Sequence, residues 1–335
     1  MRIQRTVTMA LVVVLSVGMA AAADRELGPV LGSQPAVRVK GPCYRPNPDV
    51  PCPEDGAPTV GGCSVFPSDN AWNRDVSTLP VHANSDRFVA RINSQGGTRV
   101  HPDFGADPSY GIPYIVVPAD QPTVPITYTA YGDESDPGPF PIPPNAPVEG
   151  GSDRHVLVVQ QGTCGLFELF GAQRSGAGWS AESGARWNLR SNALRPLGWT
   201  SADAAGLPIF PGLTRFDEVA AGRIDHALRF TVSRTQRAYI LPATHVASSS
   251  TNTDDPPMGL RFRLKASYDI TSLTGQARVI AVALKRYGMI VADNGSNWYI
   301  SGATDPRWND DQLNALKAIP GSAFEAVETG PIVRP

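Results

Sequence analysis

The sequence predicts a mainly β protein: a β-sandwich or jelly-roll-like body with a few peripheral helices. Short runs rich in β-branched and aromatic residues recur along the chain, separated by Gly, Pro, Asn and Asp clusters. Few segments carry a helical period. The strands are seldom followed by crossover helices, which argues against a parallel α/β sheet. An α+β arrangement with one large antiparallel sheet is the alternative.

The chain opens with the three parts of a secretory signal peptide. Arg2 and Arg5 supply the positive start, MALVVVLSVGMA is an apolar run short for a bilayer span, and Ala21-Ala22-Ala23 offers a small-residue cleavage site before Asp24. Residues 1–23 are therefore expected to be removed, and the mature protein to be secreted or periplasmic with no membrane association. Residues 24–62 are dominated by Pro, Gly and small polar residues and read as a lead-in segment. A single β-rich domain is expected over 63–335, acting as a monomer.

Within that domain the expected strands cover 112–117, 124–131, 155–159, 166–172, 224–232, 260–264, 289–292 and 298–301. Asp293-Asn294-Gly295-Ser296 reads as a hairpin turn between the last two. Helices are expected over 85–92, with Ser85 as the cap, over 274–287, with Gly288 as C-terminal stop, and over 310–319. The stretch 133–153 (DESDPGPFPIPPNAPVEGGSD) is too proline-rich for a helix or central strand, and a loop of that length in a compact domain is often functional.

Composition limits the function classes. The chain carries 29 Lys and Arg against 31 Asp and Glu, and loss of Arg2 and Arg5 leaves it mildly acidic. That balance argues against nucleic acid as partner. The cysteines Cys43, Cys52, Cys63 and Cys164 are an even set in an exported chain, and the pairing Cys43–Cys52 with Cys63–Cys164 is favoured. No Cys-x-x-Cys occurs, so neither a zinc site nor any other cofactor is expected. Gly-x-Ser-x-Gly, phosphate-loop, His-Glu-x-x-His and dinucleotide signatures are all missing.

Candidate chemistry lies where ionisable residues interrupt apolar strands. In LFELF, Glu168 shares a face with Leu166 and Phe170 while Phe167 and Leu169 take the other, so the strand reads as central and the carboxyl as buried. Burial raises a carboxyl's pKa, as a general acid requires, although a structural ion pair perturbs it equally. His155, His226 and His245 also sit among apolar residues, and their convergence would suggest acid–base work. Asp225 and Glu218 are the candidate second carboxylates. Arg229 and Arg261 are candidate ligands for an anionic sugar; Arg261, Arg263 and Lys265 share one strand face, which otherwise reads as solvated. Trp187, Trp199, Arg190 and His245 complete a candidate binding set, with tryptophans in polar loops offering stacking faces for sugar rings.

Together these readings point to a secreted polysaccharide-degrading enzyme. The simplest is a glycoside hydrolase with Glu168 as acid and Asp225 or Glu218 as base or nucleophile. A lyase acting on uronate glycans, with His226 or His155 as base and Arg229 or Arg261 neutralising the carboxylate, is the first alternative. A non-catalytic carbohydrate-binding or envelope protein is the second.

Overall fold

The computed structural model describes residues 57–335, which all belong to one compact unit. The expected signal peptide, most of the expected lead-in segment, and Cys43 and Cys52 lie outside the described residues. The fold is mainly β with peripheral helices.

In chain order, β1 (Thr59–Val60) and β2 (Cys63–Ser64) form a small hairpin, followed by α1 (Ser85–Ser94), β3 (His101–Pro102), β4 (Tyr114–Val117) and β5 (Ile126–Tyr128). The central part contains β6 (Val156–Gln160), β7 (Gly165–Phe170), β8 (Gln173–Ser175), β9 (Gly178–Ala181) and β10 (Ser183–Asn188). The last part contains α2 (Phe216–Ala220), β11 (Leu228–Val232), β12 (Arg261–Leu264), α3 (Gly275–Arg286), β13 (Met289–Asn294), β14 (Tyr299–Ile300), α4 (Asp310–Asn314) and β15 (Phe324–Val327).

A four-stranded sheet has the order β10-β7-β6-β4, a six-stranded sheet the order β15-β12-β13-β11-β14-β3, and a three-stranded sheet the order β5-β9-β8. The sheets are mixed: β4–β6, β5–β9, β11–β13 and β14–β3 are parallel pairs. The expected β13–β14 hairpin does not form. β11 lies between those strands, pairing parallel with β13 and antiparallel with β14, so the Asn-Gly segment ends β13 as an open loop.

Alternation explains the layering. Along β6, Leu157 and Val159 enter the main core, whereas Val156 and Val158 enter a second, smaller one. β7 does the same, with Leu166 on one side and Phe167 and Leu169 on the other. The four-stranded sheet is thus covered on both faces. Its second face is capped by Trp179 and Ala181 of β9 and by Phe140, Ile142 and Ala146. Those last three belong to the proline-rich 133–153 stretch, which is therefore an anchored segment and not a free surface loop.

α1 begins at Ser85 behind Asn84, not with Ser85 as its cap; the Ser85 hydroxyl instead accepts from the Ala326 amide at 2.9 Å. α3 packs Ala277, Ile280, Ala281 and Leu284 inward. It ends as expected at Gly288, whose φ of +67° lets its amide return to the Ala283 carbonyl at 3.0 Å. Arg261 and Arg263 are buried on the face read as solvated. Arg263 donates to the carbonyls of Val76 (2.6 Å) and Leu79 (2.8 Å) and to Glu325 (2.8 Å), and Arg261 donates to those of Tyr287 and Ala71, so the pair clamps the 71–79 segment onto the sheet.

Candidate functional site

A cleft of 390 Å³ opens where the start of β6 meets β11, β13, β14 and the turn after β3. Asp103, Glu149, Asp153, His155, Arg229, Asp293, Tyr110, Tyr299 and Ser301 line it.

A backbone irregularity builds its centre. β11 and β13 pair in register as Arg229↔Ile290 and Phe230↔Val291, then shift so that Thr231 meets Asp293. The extra residue, Ala292, is a β-bulge. Without it Thr231 would face Ala292, and Asp293 would point to the opposite side; with it, Arg229, Thr231 and Asp293 share one face and reach the cleft.

Arg229 is the hub. Its Nε and Nη2 donate to the two oxygens of Asp203 at 2.7 and 2.8 Å, its Nη1 to the Ser301 hydroxyl at 2.8 Å, and its Nη2 also to Asp293 at 3.1 Å. Asp203 is fully buried, so this bidentate pair is cut off from solvent. Burial disfavours the guanidinium, but Asp203 outweighs it and raises the Arg229 pKa. The Asp293 side chain, 28 % exposed, is pushed up to about 6 by burial and by the nearby charge of Asp203.

The second carboxyl is set the opposite way. The 149–155 turn is closed by the Glu149 amide donating to the His155 carbonyl at 2.9 Å, and it brings the Glu149 carboxylate onto His155 Nδ1. His155 Nε2 donates to the Ala202 carbonyl at 3.0 Å, so both ring nitrogens face acceptors and the imidazolium is the form that satisfies them. Burial opposes both charges, but the bond between them prevails: the His155 pKa is raised and that of Glu149 lowered. Below about pH 6, therefore, Asp293 holds its proton while Glu149, lowered by its bond to His155, is a carboxylate.

The other residues expected at the site stand elsewhere. Glu168 is wholly buried and does not line the cleft, accepting the Ile209 amide at 3.0 Å and the Phe210 amide at 2.8 Å; burial raises its pKa to about 7, but no part of it reaches solvent. The buried His226 and Arg215 form a triad with the part-buried Glu218, through His226–Glu218 at 3.0 Å and Arg215–Glu218 at 2.5 Å. Asp225 pairs with Arg223 and accepts from the Tyr287 hydroxyl at 3.3 Å, lining a second, smaller cavity. The three histidines do not converge: His245 bonds the Ala204 carbonyl at 2.8 Å, on the opposite side of Asp203 in sequence from the carbonyl that binds His155. Arg261 is internal, and Arg190 is exposed and bonds the Gly162 carbonyl at 2.8 Å.

Nor do the tryptophans form a sugar platform. Trp179, Trp187, Trp298 and Trp308 are buried, and the Arg195 guanidinium lies over both Trp187 (5.5 Å) and Trp199 (5.6 Å). The aromatic faces at the cleft are tyrosines: Tyr110, 57 % exposed, and Tyr299, stacked on His101 at 4.1 Å. Of the residues singled out from sequence, His155 and Arg229 line the cleft. Asp103, Glu149, Asp293, Tyr110 and Tyr299 were missed.

Comparison with protein families, with curated proteins and with solved structures finds no match to this chain. Among the described residues no helix is long and apolar enough to cross a membrane, and Cys63 and Cys164 form a disulfide.

Proposed function

We propose that this chain is a secreted glycoside hydrolase whose reaction takes place in the Asp293–Glu149 cleft. One observation carries the reading: two carboxyls line the same cleft in environments that push their protonation apart, the arrangement acid–base cleavage of a glycosidic bond requires. Asp293 is the general acid, donating to the leaving oxygen. Glu149, kept ionised by His155, is the base or nucleophile. Tyr110 and Tyr299 offer ring faces for stacking on the substrate. Export rests on the signal-peptide pattern and accords with the Cys63–Cys164 disulfide.

The cleft favours a neutral glycan over a uronate. Asp103, Glu149, Asp153 and Asp293 face it, while both of its cations are already engaged, Arg229 by Asp203 and His155 by Glu149. The lyase alternative needs a free cation for the uronate carboxylate, and Arg261 is internal.

The mature chain, incubated with a panel of neutral and uronate-containing polysaccharides, is expected to release reducing ends without unsaturated products. Asp293→Asn and Glu149→Gln are each expected to lower the rate by about 10²–10⁴-fold, with Glu168→Gln and His226→Ala retaining activity wherever they fold. Unsaturated products would move the assignment to a lyase. Binding without release by any variant would leave a carbohydrate-binding protein.

A further inference from the structure

We propose that Asp203, which touches neither solvent nor the cleft, is a positioning residue: its two-point bridge to Arg229 stops that cation from claiming Asp293. The proposal rests on the hydrolase reading for its catalytic consequence, but its physical content is separate.

The segment carrying Asp203 is fixed on all sides. The Ser201 hydroxyl bonds the Leu207 carbonyl at 2.5 Å and lies 2.9 Å from the Asp203 amide, and the Gly206 amide donates to the Asp203 carbonyl at 3.0 Å. The Ala205 amide donates to the carbonyl of Ala292, the bulge residue next to Asp293, at 3.0 Å. The Ala202 carbonyl accepts from His155. One short loop therefore touches both halves of the proposed acid–base pair: the backbone beside Asp293 and the imidazolium that holds Glu149.

Within that frame Arg229 meets two carboxyls unequally. Asp203 takes two of its N–H groups at 2.7 and 2.8 Å, and Asp293 receives one at 3.1 Å. The guanidinium is neutralised chiefly from the buried side, and its contact with Asp293 is the single, longer bond, whose pull on that carboxyl is outweighed by burial and the Asp203 charge. Without the Asp203 charge, Asp293 would be the one carboxyl still bonded to that cation among the described residues, and a cation so close holds a carboxyl ionised. An ionised Asp293 has no proton to give. The other charged groups around Asp293 are His155 at the start of β6 and Asp103, Glu149 and Asp153 along the cleft, with Tyr299 on β14.

The test is the titration of the Asp293 carboxyl by ¹³C NMR in the full mature chain, which needs no substrate, beside the pH profile of kcat/KM. In Asp203→Asn the Asp293 titration and the alkaline limb of the profile are both expected to move down by about one unit or more. In the double variant Asp203→Asn/Arg229→Gln, which removes both charges, both are expected to return to within about half a unit of wild type. The double variant carries the test if the single one does not fold. An unmoved titration in Asp203→Asn, or a double variant displaced as far as the single, overturns the proposal. A titration that moves while Asp293→Asn remains fully active would support the Asp203 bridge and overturn the hydrolase reading instead.

Discussion

Glu168 and Asp293 are both carboxyls with raised pKa values, but their surroundings differ. Asp293 meets solvent and a cleft, and Glu168 meets only backbone amides and a core. For Glu168 the shift is a stability property. A carboxyl raised from 4.5 to about 7 on folding adds stability below pH 4.5 and loses it as the pH rises through 7. The difference is about 3 kcal/mol. Glu168→Gln is therefore expected to flatten the pH dependence of urea unfolding between pH 4.5 and 7; an unchanged slope would mean that the carboxyl is not the source. The buried position of Glu168 was legible in LFELF, because both strand faces are apolar. Its lack of access was not, because strand alternation gives the face of a residue and not what covers that face. Glu149 and Asp293 gave weaker signals: the first lies inside the proline-rich 133–153 stretch and the second sits in a segment that reads as a turn. Only the bulge at Ala292 turns Asp293 towards Arg229, and a bulge leaves no trace in hydrophobic alternation.

At the scale of elements, the segments with strong local signals formed where the sequence placed them. β6, β7, β12 and α3 are examples, because alternation or a 3.6-residue period together with a stop residue specifies each locally. Gly288 shows how firm such a stop is. A Cβ there would stand 2.1 Å from the Phe262 carbonyl oxygen at a φ of +67°. Gly288→Ala is expected to destabilise the protein by about 1–3 kcal/mol, read as a lower denaturation midpoint; a midpoint equal to wild type would show that the α3–β13 junction relaxes freely. Pairings between distant segments were not legible. The β11–β13 parallel pair skips over β12 and α3, and nothing local in either strand names its partner.

For the whole molecule, the Cys63–Cys164 disulfide ties the N-terminal hairpin to the β6–β7 turn across 101 residues. Closing a loop of that length is worth about 4–5 kcal/mol in the chain-entropy model, so the pair Cys63→Ser/Cys164→Ser is expected to unfold at markedly lower urea while keeping the same secondary structure by circular dichroism. A double variant as stable as wild type would show that core packing alone fixes the hairpin. The mainly β class was legible because it sums many local signals. The candidate site was not, because the cleft is assembled from the ends of separated strands: Asp103 after β3, Glu149 and His155 before β6, Arg229 on β11 and Asp293 on β13. The measurement that bears most directly on this assembly is the pH dependence of polysaccharide cleavage by the mature chain. A protonated Asp293 working with an ionised Glu149 predicts a rate that peaks on the acid side, between the lowered pKa of Glu149 and about 6, and falls about tenfold per unit above it. A rate that climbs through pH 6 to a plateau at pH 8 would require Asp293 ionised and would contradict the account.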